Sequence, residues 1–349
     1  MHSYICSYQT TANGPGGIHT FAFDPEAGSL APLSSVTDDI QRASFLAINQ
    51  SGTLLALADE RSAGLVHTYQ RDAATGALTH ISTQLTLGDS PCYVSWDLPE
   101  QNLLLTNYTS GSFVSLSIDS HGVLGEPDLY QHTGSGPNLD RQDGPHTHMV
   151  APHPIDGQIY VSDLGIDEVD IYDRDPATGK LIAASPTGAV DLVPGTGPRH
   201  FAFAASGQRL YVIGELASTV SYFTRTAAGM WEQQQVISTL PASFTAENTT
   251  AQILLSPDGR FLYGSNRGHD SIATFAINGR DGTLTPLGHI PTEGRTPRNF
   301  AIDPTGTWLL AANQNSDSVI TFRRDLQSGA LTRHGEPLLI AKPLCIAFH

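Results

Sequence analysis

A stretch of about fifty residues is rewritten, with variations, along the whole of this chain, and self-similarity at that period marks a repeat architecture. Its clearest copy runs from Ser256 to Leu284, SPDGRFLYGSNRGHDSIATFAINGRDGTL. Pro257-Asp258-Gly259 is a turn, because proline presets φ, aspartate bonds its own backbone and glycine accepts a positive φ. Arg260 to Ser265 and Ile272 to Ile277 are aromatic and aliphatic runs of strand type, and Asp281-Gly282 makes the next turn. The unit has no helical period.

With Pro297 of PRNFAIDPTG as the reference position, the counterparts are Ala43, Pro91, Pro145, Pro198, Thr250 and Pro343, at spacings of 48, 54, 53, 52, 47 and 46 residues. Each full copy holds four short strands, the content of one propeller blade. The last copy stops after one strand, Leu344 to Phe348, whereas the chain opens with Tyr4 to Tyr8, Gly17 to Phe23 and Gly28 to Leu30, which match the second, third and fourth strands of a copy lacking its first. Six whole blades and one composite predict an all-β, seven-bladed β-propeller with four antiparallel strands per blade. Its ring is closed by the C-terminal strand joining the N-terminal blade, which also covers an open edge. Since every blade leans on its neighbours, residues 1–349 are read as one domain.

A formal charge of −16 lacks the basic footprint that polyanion binding requires, so no nucleic-acid partner is expected. Any bound anion has to be small and held by a few focused arginines. No run approaches the ~18 consecutive apolar residues of a membrane span, and strand sequence starts at Tyr4 with no apolar signal run before it. The expectation is a cytoplasmic protein without a membrane partner, monomeric or weakly dimeric. Cys6 and Cys345, brought into one blade by the closure, read as small buried hydrophobes rather than a disulfide.

Polar residues break the apolar pattern at one end of several blades. Pro145-His146-Thr147-His148 opens the third blade, and Asp163 ends its second strand. An H-x-H pair in a strand places both rings on one face, a spacing that metals also use, but zinc needs a third protein ligand and no motif supplies one. His148 aligns in this frame with Phe201, Ile253 and Phe300, which makes it either functional or a satisfied core histidine. His153, in the turn His153-Pro154, reads as surface. Arg199 follows its reference proline as His146 does, and Glu215 interrupts an apolar run at the level of Asp163 and Arg267. A lone charge there is costly, so Glu215 is expected to pair with Arg199. Arg267, Arg298 and Asn313 take inner-loop positions in the fifth and sixth blades, Asp59 and Glu60 read as solvated loop carboxylates or as side chains facing the central funnel, and Asn107-Tyr108 as turn residues or ligand contacts. Two longer connections, 129–144 and 230–250, extend from the rim.

At GPHTH, GTGPRHF, GEL, SNRGHDSI, PRNFAID and ANQNSDSV the chain resembles the lactonase family of seven-bladed propellers, which includes bacterial 6-phosphogluconolactonase and fungal carboxy-cis,cis-muconate cyclase. The resemblance implies a central site without metal or cofactor, in which His148, Arg199, Glu215 and Arg267 are catalytic. His146, Arg298, Asn313 and Asp163 are the substrate-binding candidates beside them. The implied reaction is hydrolysis of a small sugar-acid lactone, foremost 6-phosphoglucono-1,5-lactone, with arginines holding the anionic group or the developing oxyanion and His148 or Glu215 activating water. A lactone-forming cyclase, a metal-dependent sugar lactonase and a non-enzymatic interaction propeller are the alternatives. With only Lys180 and Lys342 present, any phosphate would rest on arginine.

Overall fold

The computed structural model describes residues 1–8, 16–186 and 188–349, and within them the chain forms seven antiparallel sheets. Six are contiguous in sequence, and the seventh takes Pro343–Phe348 as its inner strand, followed by His2–Ser7, Gly17–Asp24 and Ser29–Val36. Pro343–Phe348 pairs antiparallel with His2–Ser7, Ser3 opposite Phe348 and Cys6 opposite Cys345. All three cysteines are free and buried. The seven inner strands touch their neighbours in an unbroken cycle that starts and ends on Ala43–Ile48, so the ring is closed.

Each interface between successive blades has its own apolar cluster. Tyr4, Leu57 and Leu344 join the closing blade to the first, Val66, Leu105 and Val114 the first to the second, and Tyr263, Phe300 and Phe322 the fifth to the sixth. The repeated Tyr and Gly of the sequence unit also have a shared task across these interfaces. The buried hydroxyls of Tyr4, Tyr211 and Tyr263 donate to the carbonyls of Gly76, Gly282 and Gly329 at 3.0, 2.8 and 2.8 Å. Those glycines have φ of 73°, 84° and 73°, the left-handed turn conformation that L side chains rarely adopt, and their positions one blade onward explain why both residues recur.

In every blade the pairing between inner and second strands slips by one residue at the same end. The extra residues include Ser44, Cys92, His148, Arg199, Arg298 and Leu344. This corrects the alignment of the third blade: Thr147, opposite Asp163, holds the place of Pro198, opposite Gly214. Pro145 lies in the loop, because the connection leading into this blade is longer than its counterparts. His148, not His146, is therefore the equivalent of Arg199, and Phe201 is matched by Val150 rather than His148. By the same count Asp163 matches Gly214, one residue short of the level of Glu215 and Arg267.

Two further expectations change. His153 is fully buried: its ring stacks on Tyr160 at 5.9 Å, meets Phe203 edge-on at 4.9 Å and donates through Nε2 to the Gly207 carbonyl at 2.9 Å. The turn of the fourth blade covers it, which a local His-Pro signal does not show. Asp59 is also fully buried, bonded by Arg61 and by the backbone N–H of Arg42 at 2.7 Å. The 230–250 connection is shorter than expected, since Trp231–Ser238 is the outer strand of the fourth blade. Among the described residues no helix is long and apolar enough to cross a membrane.

Candidate active site

The bulge explains how polar side chains enter the centre of an otherwise apolar ring. An extra residue in one strand bends it and re-aims its side chain, a device found beside active sites. His148, Arg199 and Arg298 all occupy it, on the third, fourth and sixth blades. The residue just past the end of each second strand supplies a further ring of positions, filled by Tyr8, Glu60, Tyr108, Leu164, Glu215 and Gln314, with Arg267 at the matching place in the fifth blade.

Glu215 is the hub. One carboxylate oxygen accepts from Arg141 Nη2 at 2.6 Å, while the other lies 2.8 Å from Arg267 Nη2 and 3.0 Å from Arg199 Nε. The expected pair with Arg199 is present, but as one contact of three. Burial works against ionisation of Glu215, yet Arg267, Arg199 and Arg141 hold its carboxyl down to about 2. It is a fixed anion at any working pH. Arg199 also donates to the Ala251 carbonyl at 2.8 Å, and Arg267 to the Thr250 carbonyl at 2.7 Å. Burial and then the like charges of Arg267 and Arg298 push Arg199 down to about 9, which still leaves it protonated at neutral pH. The Nε atoms of Arg199 and Arg267 are buried and make no hydrogen bond among the described residues, since even the 3.0 Å approach of Arg199 Nε to Glu215 is off the N–H direction.

His148 is 4% exposed, with Nδ1 at 3.8 Å from Cys92 Sγ and no hydrogen bond to Nε2 among the described residues. Burial first, then Arg199, His200 and Arg298, hold it well below the ordinary histidine range, so the ring is neutral. His200, edge-on at 5.1 Å, is neutral for the same reasons. It accepts from Arg199 Nη1 at 3.3 Å and donates through Nδ1 to Gln252 Oε1 at 2.5 Å. His146 stacks on Tyr108 at 4.7 Å and bonds the Tyr108 carbonyl through Nδ1 at 3.0 Å, while His148 meets the same Tyr108 ring edge-on at 5.6 Å. Since His146 precedes the strand and His148 sits on its bulge, the alternation expected to give them one shared face does not apply.

Asp163 and Asn313 are not in the pocket. Both are fully buried at the last position of a second strand, where the side chain closes the blade's own loops. Asn107, Asn266 and Asn313 all donate through Nδ2, to the carbonyls of Thr86, Thr239 and Thr292, each at 2.9 Å. Asp163 accepts from the backbone N–H of His146 at 2.6 Å and of Gly165 at 2.9 Å, and from His132 Nδ1 at 2.8 Å. Of the two readings of Glu60, the solvated one does not hold: it is mostly buried and faces Arg298 at 3.9 Å and Arg42 at 3.8 Å, with the Tyr8 hydroxyl donating to it. Arg141, Tyr8 and His200 were missed. Arg141 stands in the loop after the second blade, where a lone arginine among glycine, asparagine and aspartate gives no positional signal.

A seven-bladed propeller with a buried neutral histidine beside a three-arginine carboxylate cluster defines an enzyme of the lactonase type. Residues 2–348 match the family described as Lactonase, 7-bladed beta-propeller, and the chain belongs to it. It is 35% identical to 6-phosphogluconolactonase of Bacillus subtilis over 300 residues, 85% of this chain and 83% of that protein. It is 34% identical to 6-phosphogluconolactonase of Formosa agariphila, over 83% of this chain and 84% of that protein. Among solved structures, the periplasmic gluconolactonase of Pseudomonas aeruginosa superposes with a TM-score of 0.92 at 31% identity, covering 99% of this chain and 98% of that one.

Proposed function

We propose that this protein hydrolyses a sugar-acid lactone, with 6-phosphoglucono-1,5-lactone as the substrate, and that the chemistry needs no metal. The observation that carries the reading is a neutral histidine, with no hydrogen bond to Nε2 among the described residues, near the Arg199 guanidinium that shares Glu215 with Arg267. His148 takes a proton from water through Nε2 as the water oxygen adds to the lactone carbonyl. Arg199 and Arg267 receive the oxyanion that develops on that carbonyl, and the proton passes from His148 to the departing ring oxygen as the ring opens. Glu215 is not the base in this scheme. A carboxylate held by three guanidinium groups is a poor proton acceptor, and its work is to fix the arginines in place. A dication would meet the same guanidinium charges as repulsion, which favours the metal-free reading.

Relatives named 6-phosphogluconolactonase and gluconolactonase support the reaction class, and the arginine-rich pocket supports an anionic substrate. The test is an assay of the purified protein with 6-phosphoglucono-1,5-lactone, glucono-1,5-lactone and carboxymuconate, with spontaneous hydrolysis subtracted. We expect catalysed lactone opening that a chelator leaves unchanged, and no cyclisation of carboxymuconate. Cyclisation without lactone hydrolysis, or loss of activity to the chelator, would overturn the proposal.

A further inference from the structure

Across the pocket from Glu215 stands a second charged group that the hydrolytic scheme does not use. Arg298, on the bulge of the sixth blade, makes no side-chain hydrogen bond among the described residues, and its nearest anion is Glu60 Oε2 at 3.9 Å, beyond hydrogen-bond reach. Glu60 itself is occupied, since it accepts from the Tyr8 hydroxyl and lies 3.8 Å from Arg42, whose guanidinium rests 4.6 Å from the Tyr8 ring centroid. Burial raises the Tyr8 phenol well above its ordinary value, so it adds no negative charge. Arg298 takes the same bulge position on its blade that His148 and Arg199 take on theirs, which puts it in the same inner ring of side chains.

The charges here do not balance. Among the described residues Arg141, Arg199, Arg267 and Arg298, with Arg42 also beside Glu60, face the two carboxylates Glu215 and Glu60, so guanidinium charge exceeds carboxylate charge here in a chain whose formal charge is −16. Three of these arginines are locked onto Glu215, and the fourth makes no side-chain hydrogen bond among the described residues. Buried guanidinium groups are stable when paired, and a fork of free donors fits the oxygens of a phosphate monoester, whose charge approaches −2 at neutral pH.

We infer that Arg298 is the specificity-determining residue of this site, the anchor for the phosphate of a phosphorylated sugar lactone, with Glu60 and Tyr8 holding it in position. This rests on the lactonase reading and adds which end of the substrate lies where: the carbonyl at Arg199 and Arg267, the phosphate at Arg298. The reaction products provide the test, since they bind without turning over. Calorimetric binding of 6-phosphogluconate and of gluconate is measured on the wild-type protein, Arg298→Ala and Arg298→Lys, with melting temperatures recorded to confirm folding.

The expected result is a wild-type preference for 6-phosphogluconate that Arg298→Ala cuts by about 10- to 100-fold, the worth of one or two charged hydrogen bonds, with gluconate binding unchanged. Arg298→Lys keeps part of the preference, because it retains a point charge without the fork. Equal wild-type affinity for the two acids, or a preference undiminished in folded Arg298→Ala, would overturn the inference. Failure of the lactonase reading is seen separately, as absence of catalysed opening of either lactone by the wild-type protein.

Discussion

His148 and His200 are two imidazoles held neutral inside a field of arginine, and this has consequences with a definite sign. Their folded pKa values lie well below 6.5, so as pH falls below 6.5 the unfolded chain takes up protons that the native state refuses. Stability is therefore retained above pH 6.5 and declines below it, by up to about 1.4 kcal/mol per pH unit for each histidine. Urea unfolding at pH 7 and pH 5.5 checks this: His148→Asn should lose about one proton's worth of the slope, and a slope equal to wild type would contradict the assignment. The residue scale is also where reading from sequence was least secure. His148, Arg199, Glu215 and Arg267 stood out because a polar side chain in an apolar run has to be explained. Asp163 and Asn313 drew notice by their place at a strand end and an inner loop, and their buried bonds close the blade's own loops, a task that leaves the same trace in a sequence as a site does.

The strand and blade pattern was readable because the copies repeat a turn at fixed spacing and a hairpin glycine, which at three interfaces accepts a bond from a buried tyrosine of the preceding blade. The closure was readable from the mismatch of the two ends. The frame of the third blade was not, because a longer connection hides a shift of two residues and a proline in the loop imitates the reference proline. Only the pairing of Thr147 with Asp163 resolves it. Closure itself can be tested at this scale. Removing residues 343–349 would expose the edge of His2–Ser7 and unseat Leu344 and Cys345 from the cluster shared with Leu46 and Leu57. We expect that truncation to be insoluble or strongly destabilised, judged by soluble yield and thermal melting. A soluble truncation melting at the wild-type temperature would show that the ring does not depend on its last strand.

For the molecule as a whole, the ring turns sequence distance into spatial proximity. Arg141, Arg199, Glu215 and Arg267 come from the connection after the second blade and from the fourth and fifth blades, and they meet only because the inner strands converge. A chain of formal charge −16 thus gathers guanidinium groups at its centre, where a net positive field attracts a small anion. The central claim is that this convergence makes a hydrolytic site in which Arg199 and Arg267 receive the oxyanion. Its most direct test is kcat/KM for 6-phosphoglucono-1,5-lactone, corrected for spontaneous opening, in wild type and in folded Arg199→Ala and Arg267→Ala. Loss of roughly 100- to 1000-fold in either variant is the predicted result; full activity retained in both would contradict the account.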